Sequence, residues 1–93
     1  MKRTPNDHLR MLLLDLAEKH GLSDSDIARA HIRAHPESTL TASTVQRFRT
    51  GTPAPGTPPS FLMEEAYAEA THTTRQQNWN EAIRRWRLAL KNE

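Results

Sequence analysis

The sequence predicts an all-α protein of five helices. Apolar residues recur at intervals of three and four along most of the chain, which is the spacing of a buried helix face. Serine, threonine, asparagine or aspartate precedes these stretches, and glycine or proline follows several of them, as at helix ends. With 93 residues, we expect one domain over 1–93 with a small core, because a chain of this size buries only about two-thirds of its unfolded surface.

The first two predicted helices form the first half of the core. The first begins at Asn6 or Asp7 as N-cap and runs to about His20, where Gly21 ends it. Its apolar face consists of leucines at helical spacing: Leu9, Leu12, Leu13 and Leu16. The second helix begins after Ser23, extends to about His35 and is ended by Pro36, with Ile27 and Ala28 facing inward.

The third predicted helix, 41–50, is short and has two chemically different faces. Thr41 is its candidate N-cap, and Gly51 is expected to end it in the left-handed conformation. Val45 and Phe48 point the same way, toward the core. The other side is polar, and such a short helix is stable only when its apolar face packs on other helices.

A proline-rich loop and a fourth helix follow. Residues 52–60 contain too much proline and glycine for a helix or a central strand and are expected to form a stiff surface loop. Ser60 can cap a helix from Phe61 to about Ala70, whose outer face is acidic.

The last predicted helix, within 74–91, carries an apolar stripe. It begins near Arg75, or at Asn78 as a cap with Glu81 three residues later. The stripe follows a 4-3-4 spacing and consists of Trp79, Ile83, Trp86 and Leu90. Two interpretations remain open: the helix closes the core over the first helix, or the stripe is the interface of a homodimer, because exposed tryptophans are unfavourable.

Several short motifs occur in an order that resembles a known family. They are Gly21-Leu22-Ser23, Ile27-Ala28, Leu40-Thr41-Ala42-Ser43-Thr44-Val45, Phe48 and Gly51. Together they resemble the helix-turn-helix of the phage Cro/cI repressor-like family, over roughly residues 9–70. The resemblance implies a lambda-repressor-like domain in which helix 41–50 reads the major groove of double-stranded DNA.

The resemblance also implies roles for individual residues. The positions that face base edges are Ala42, Ser43, Gln46 and Arg47, and Arg47 is the best candidate for a two-point contact to guanine. The positions that contact phosphate are Thr44, Arg49 and Thr50. The alternative interpretation of these residues is a solvated polar helix face.

The chain departs from the family pattern at two places. Asp24 stands where the family often has a glutamine that contacts the DNA backbone, and an acid there is expected to repel phosphate. Thr41 follows Ala28 by thirteen positions, about seven more than the tight turn of the family allows. We therefore expect residues 36–40 to form a loop before the third helix.

The charge distribution agrees with a nucleic-acid partner. The net charge is only +2, but residues 29–49 carry four arginines against one glutamate, and the last helix is also basic. Together with this charge distribution, the resemblance implies a sequence-specific transcriptional regulator, a repressor of phage or mobile-element type, and we expect it to act as a homodimer in the cytoplasm.

Other classes of protein are less consistent with the sequence. No nucleophile, phosphate loop or metalloprotease motif is present, so we expect no enzymatic activity and no cofactor. His31 and His35 are four apart on the second helix, but spacing indicates no third ligand, so we predict no metal site. Without a long apolar run, we expect no membrane span.

Two further alternatives concern the partner. The first is a small protein-binding inhibitor or antitoxin that uses the last helix or the loop 52–60; Asp24, the insertion and the modest net charge favour it. The second is structured RNA, for which the sequence offers no aromatic stacking platform.

Overall fold

The computed structural model describes residues 3–92 and contains five helices and no strand in that range. The helices are α1 (Pro5–Lys19), α2 (Asp24–Ala34), α3 (Ala42–Thr50), α4 (Phe61–Thr71) and α5 (Arg75–Lys91). The prediction of a five-helix all-α fold is therefore confirmed. Within the described residues, no helix combines the length and apolar character needed to cross a membrane.

Residues with a side-chain hydroxyl precede all five helices. The predicted caps Ser23, Thr41 and Ser60 are confirmed, since each side chain accepts a backbone N–H of the first turn. The prediction for α1 is wrong: the N-cap is Thr4, and Asp7 lies at the third helical position, where it accepts the Thr4 N–H at 2.8 Å. Pro5 fits the first helical position because its missing N–H would have no partner there.

The start of α5 settles the two alternatives for that helix. Thr74 is the N-cap, and the Gln77 side chain accepts the Thr74 N–H at 2.9 Å. The alternative cap at Asn78 is wrong. Asn78 lies buried inside the helix, and its Nδ2 donates to the hydroxyl of Thr73 at 3.0 Å.

The two glycines that were predicted to end helices do so in different ways. Gly21 has φ +66° and is left-handed. Gly51 has φ −70° and ψ 160°, so the prediction of a left-handed residue is wrong there. Glycine is still needed at 51, because a Cβ would lie 2.8 Å from the carbonyl oxygen of Arg47.

The core lies where α4 meets α1 and α2. α5 packs along α1, while α3 packs on α2. Tyr67, Leu13, Ile27 and Val45 are the largest fully buried side chains. Burial, together with a smaller effect of the nearby Asp24 carboxylate, raises the pKa of Tyr67 to about 12. Because Val45 is fully buried in this core, it anchors the short α3 to the rest of the protein.

The proline-rich loop 52–60 is tied to the start of α1. The Gly56 N–H donates to Asp7 Oδ1 at 2.9 Å, and Asn6 Nδ2 donates to the Gly56 carbonyl oxygen at 3.0 Å. The N–H groups of Thr4 and Gly56 hold the pKa of Asp7 below its ordinary value. The loop is therefore fastened at its middle as well as at its two ends.

Candidate nucleic-acid interface

The side of α3 opposite Val45 faces solvent. Its exposed residues recur at intervals of three and four and are Ser43, Gln46, Arg47 and Thr50. Three of the four positions predicted to face bases therefore share one surface. Ala42 departs from it, because its side chain is half-buried.

Arg47 is the exposed arginine of this surface. Its Nη2 lies 3.4 Å from the hydroxyl of Thr44, a long and weak contact. No carboxylate within residues 3–92 forms an ion pair with Arg47. Its guanidinium is thus free to bind a planar pair of acceptors.

Arg49, predicted to contact phosphate, is bound to an acid instead. Its Nε donates to Asp24 Oδ1 at 3.0 Å and its Nη2 donates to Asp24 Oδ2 at 2.9 Å. The Asp24 carboxylate raises the pKa of Arg49. The carboxylate of Asp24, which is expected to repel phosphate, is therefore neutralised by the guanidinium of Arg49 on α3.

The two threonines predicted to contact phosphate make local hydrogen bonds. The Thr50 hydroxyl donates to the Gln46 carbonyl oxygen at 2.8 Å. The Thr44 N–H donates to Thr41 Oγ1 at 3.3 Å, and the two hydroxyls lie 3.2 Å apart. Each hydroxyl still has a lone pair, but only Thr50 lies on the fully exposed surface.

Arg10 holds the C-terminal end of α3, a role that the sequence analysis missed. Its Nη2 donates to the carbonyl oxygens of Phe48 at 2.9 Å, Arg49 at 3.3 Å and Gly51 at 2.8 Å. The guanidinium carbon also lies 5.4 Å from the centre of the Phe48 ring. These carbonyls have no partner within the helix, so a cation satisfies both their hydrogen bonds and the helix dipole.

A groove of about 480 Å³ runs beside Arg47, between the end of α3 and the proline-rich loop. Much of its wall is apolar, with Phe48, Pro58, Pro59 and Met63 among the lining residues. Phe61 and Leu62 are exposed at the adjoining start of α4. The loop therefore contributes surface next to α3 and does more than connect two helices.

The predicted apolar stripe of α5 is divided between core and surface. Trp79 packs at the edge of the core, and Ile83 and Trp86 are half-buried along a helix that packs on α1. Leu90 is 40% exposed, and the neighbouring Leu88 is 45% exposed. The interpretation that α5 closes the core is confirmed for Trp79, while the homodimer interface stays a prediction.

The arginines of α5 are largely paired with acids. Arg84 and Arg85 both bind Glu81, and Arg85 also reaches Asp15 of α1 at 3.1 Å. Hydrogen bonding to Arg84 is the main reason that the pKa of Glu81 falls to about 2. This pairing reduces the positive charge that α5 can offer to a nucleic acid.

No protein-family model, curated protein sequence or solved structure matches this chain. The resemblance to the Cro/cI repressor-like family therefore depends on the motifs that suggested it.

Proposed function

We propose that the protein is a sequence-specific DNA-binding transcriptional regulator of the helix-turn-helix type, and that it acts as a repressor. The observation that supports this proposal best is the exposed surface of α3. It combines Ser43, Gln46 and Thr50 with an arginine that has no acidic partner within residues 3–92. Such a mixture of donors and acceptors on one helix suits the base edges of the major groove.

The contacts that hold α3 against the rest of the protein also support the proposal, because they fix the position of its exposed surface. Val45 is fully buried, Phe48 packs against the Tyr67 ring with centroids 5.5 Å apart, and Arg10 binds the last carbonyls. A recognition helix that is already ordered loses little conformational entropy on binding.

In the proposed complex with DNA, neighbouring residues of α3 contact different groups. Arg47 donates two hydrogen bonds to O6 and N7 of guanine, and Gln46 pairs with N6 and N7 of adenine. Ser43, in the first turn of α3, is placed for a contact to a base or phosphate. Arg49 binds a phosphate only if the phosphate displaces the Asp24 carboxylate from the Arg49 guanidinium.

A homodimer is the proposed assembly, because helix-turn-helix proteins commonly bind two half-sites about one helical turn of DNA apart. The exposed Leu88 and Leu90 at the end of α5 support a contact between two copies there.

The alternative is a protein-binding inhibitor or antitoxin on the same scaffold. The groove beside Arg47 favours it, because its partly apolar wall adjoins the exposed Phe61 and Leu62. The ion pair that neutralises the charge of Arg49 favours it as well.

Selection from a library of random duplexes, at two salt concentrations, tests the proposal. A sequence-reading regulator enriches a defined motif and binds it at least a thousandfold tighter than unrelated DNA, to order of magnitude. Binding to all duplexes that disappears with rising salt, with no enriched motif, would contradict the proposal. In that event the groove beside Arg47 becomes the first surface to test against protein partners.

A further inference from the structure

A histidine of α2, the histidine that follows the last residue of that helix and a glutamate of α4 come together at one place on the fold. The histidines are His31 and His35, which lie one helical turn apart, and the glutamate is Glu65. One ligand atom from each of the three residues lies within 4.8 Å of the other two. The sequence shows the two histidines, whereas the third ligand is contributed only by the packing of α4 on α2.

His31 is the buried member of this cluster, and one of its nitrogens is fixed. The side chain is 6% exposed, and Nδ1 lies 2.6 Å from the hydroxyl oxygen of Ser38. That oxygen also accepts the N–H of Leu40 at 3.2 Å. When Nδ1 carries the proton and donates to Ser38, Nε2 presents a lone pair to the cluster.

The Nε2 atom of His31 is buried and has no hydrogen-bond partner. It lies 3.6 Å from Oε1 of Glu65, too far for a hydrogen bond. A buried nitrogen lone pair that faces a carboxylate is unfavourable unless a proton or a metal cation lies between them. Nε2 of His35, whose side chain is 45% exposed, lies 3.8 Å from the other carboxylate oxygen of Glu65, Oε2.

The distances from the two histidines to the two oxygens of Glu65, 3.6 and 3.8 Å, are slightly longer than those between ligands that share one zinc ion. Bonds of about 2.0–2.1 Å at tetrahedral angles place two ligand atoms about 3.4 Å apart. Imidazole nitrogens with a carboxylate oxygen are also a donor set that zinc accepts, with water as the fourth ligand. The half-exposed side chain of His35 leaves the cluster open to an ion from solvent.

We propose that His31, His35 and Glu65 form a zinc site that links the end of α2 to α4. Ser38 is a positioning residue, since its hydroxyl orients the His31 ring from the opposite nitrogen. Through Ser38 and the Leu40 N–H, the bound ion also steadies the chain just before the N-cap Thr41 of α3. The site does not depend on DNA binding.

Titration of chelator-treated full-length protein with ZnCl₂ in a calorimeter tests the proposal, with Co²⁺ absorption as a second readout. We expect one ion per chain and the visible bands of tetrahedral Co²⁺. At zinc a hundredfold above its Kd, the Tm should rise by about 10 °C or more.

Glu65→Gln and His35→Gln should each weaken zinc binding at least tenfold, to order of magnitude, and remove most of the rise in Tm. His20→Gln and His72→Asn serve as controls, because both histidines are exposed and lie outside the cluster. If the wild-type protein shows no saturable binding, or if the cluster variants bind zinc as well as the controls do, the site is absent. His35 is exposed, so its variant remains informative if Glu65→Gln is poorly folded.

Discussion

Arg49 of α3 and Asp24 of α2 form a two-point ion pair, with N–O distances of 3.0 and 2.9 Å. The two residues are 25 positions apart in the sequence, and their ion pair joins α2 to α3. Surface ion pairs add little to stability, so its main effect is on charge. It neutralises one exposed cation beside the surface that we propose to contact DNA.

Replacing Asp24 by Asn should strengthen binding to DNA. The change releases Arg49 for a phosphate and removes a nearby negative charge, so the plot of log affinity against log salt should become steeper by about one unit. Fluorescence titrations of a labelled duplex at several salt concentrations measure this slope. Asp15→Asn is the control, since Asp15 lies on α1 and pairs with Arg85 of α5. Weaker binding by Asp24→Asn would mean that Asp24 positions Arg49 for its contact.

Replacing Arg10 by Ala should destabilise the protein by about 1–3 kcal/mol, because three carbonyl oxygens at the end of α3 lose a charged donor. Urea unfolding measures the loss. Arg10→Lys keeps the charge but has only an ammonium at this site, so it should recover part of the stability. A free energy of unfolding unchanged in Arg10→Ala would show that water satisfies these carbonyls equally well.

The stability of the protein should fall in acid partly through Asp7. Its pKa is lowered in the folded chain, so its contribution is complete above the ordinary value of 3.8 and is lost as the pH falls through the folded pKa. Asp7→Asn should be less stable at neutral pH by about 1 kcal/mol. Its stability should also change less between about pH 5 and pH 2. Parallel pH profiles for the two proteins would refute this assignment.

The proposed dimer can be tested at the end of α5. Leu90→Glu introduces a charge at a position that is 40% exposed in the monomer. Sedimentation equilibrium should show a shift from dimer to monomer with little change in Tm. Ile32→Glu is a matched control, because Ile32 is also 40% exposed but lies on α2. An equal oligomeric state for wild type and Leu90→Glu would remove this residue from the interface.

Local signals in the sequence were sufficient for the helices. Ser23, Thr41 and Ser60 were correctly predicted as N-caps, because a cap and the N–H that it accepts lie within three residues. The same reasoning fails at α1, where it predicts Asn6 or Asp7 as the cap, although the cap is Thr4 and Asp7 is its partner. At that terminus both residues can accept an N–H, so spacing alone did not distinguish their roles.

Contacts between distant residues could not be predicted in this way. Arg10 binds carbonyl oxygens 38–41 positions later, and Glu65 joins His31 only because α4 packs on α2. Asp24 was expected to repel phosphate, since its pairing with Arg49 depends on how α3 docks. The spacing of residues along the chain does not predict these contacts between helices.

Binding of Arg47→Ala to the motif enriched from random duplexes tests the proposed role of α3 most directly. We expect a ten- to hundredfold weaker Kd for the motif, to order of magnitude, and a reduced preference at one guanine position. Arg87→Ala, an exposed arginine on α5, should keep the same preference for the motif over unrelated DNA. If Arg47→Ala binds the motif as tightly and as selectively as the wild-type protein, α3 does not read the sequence through this residue.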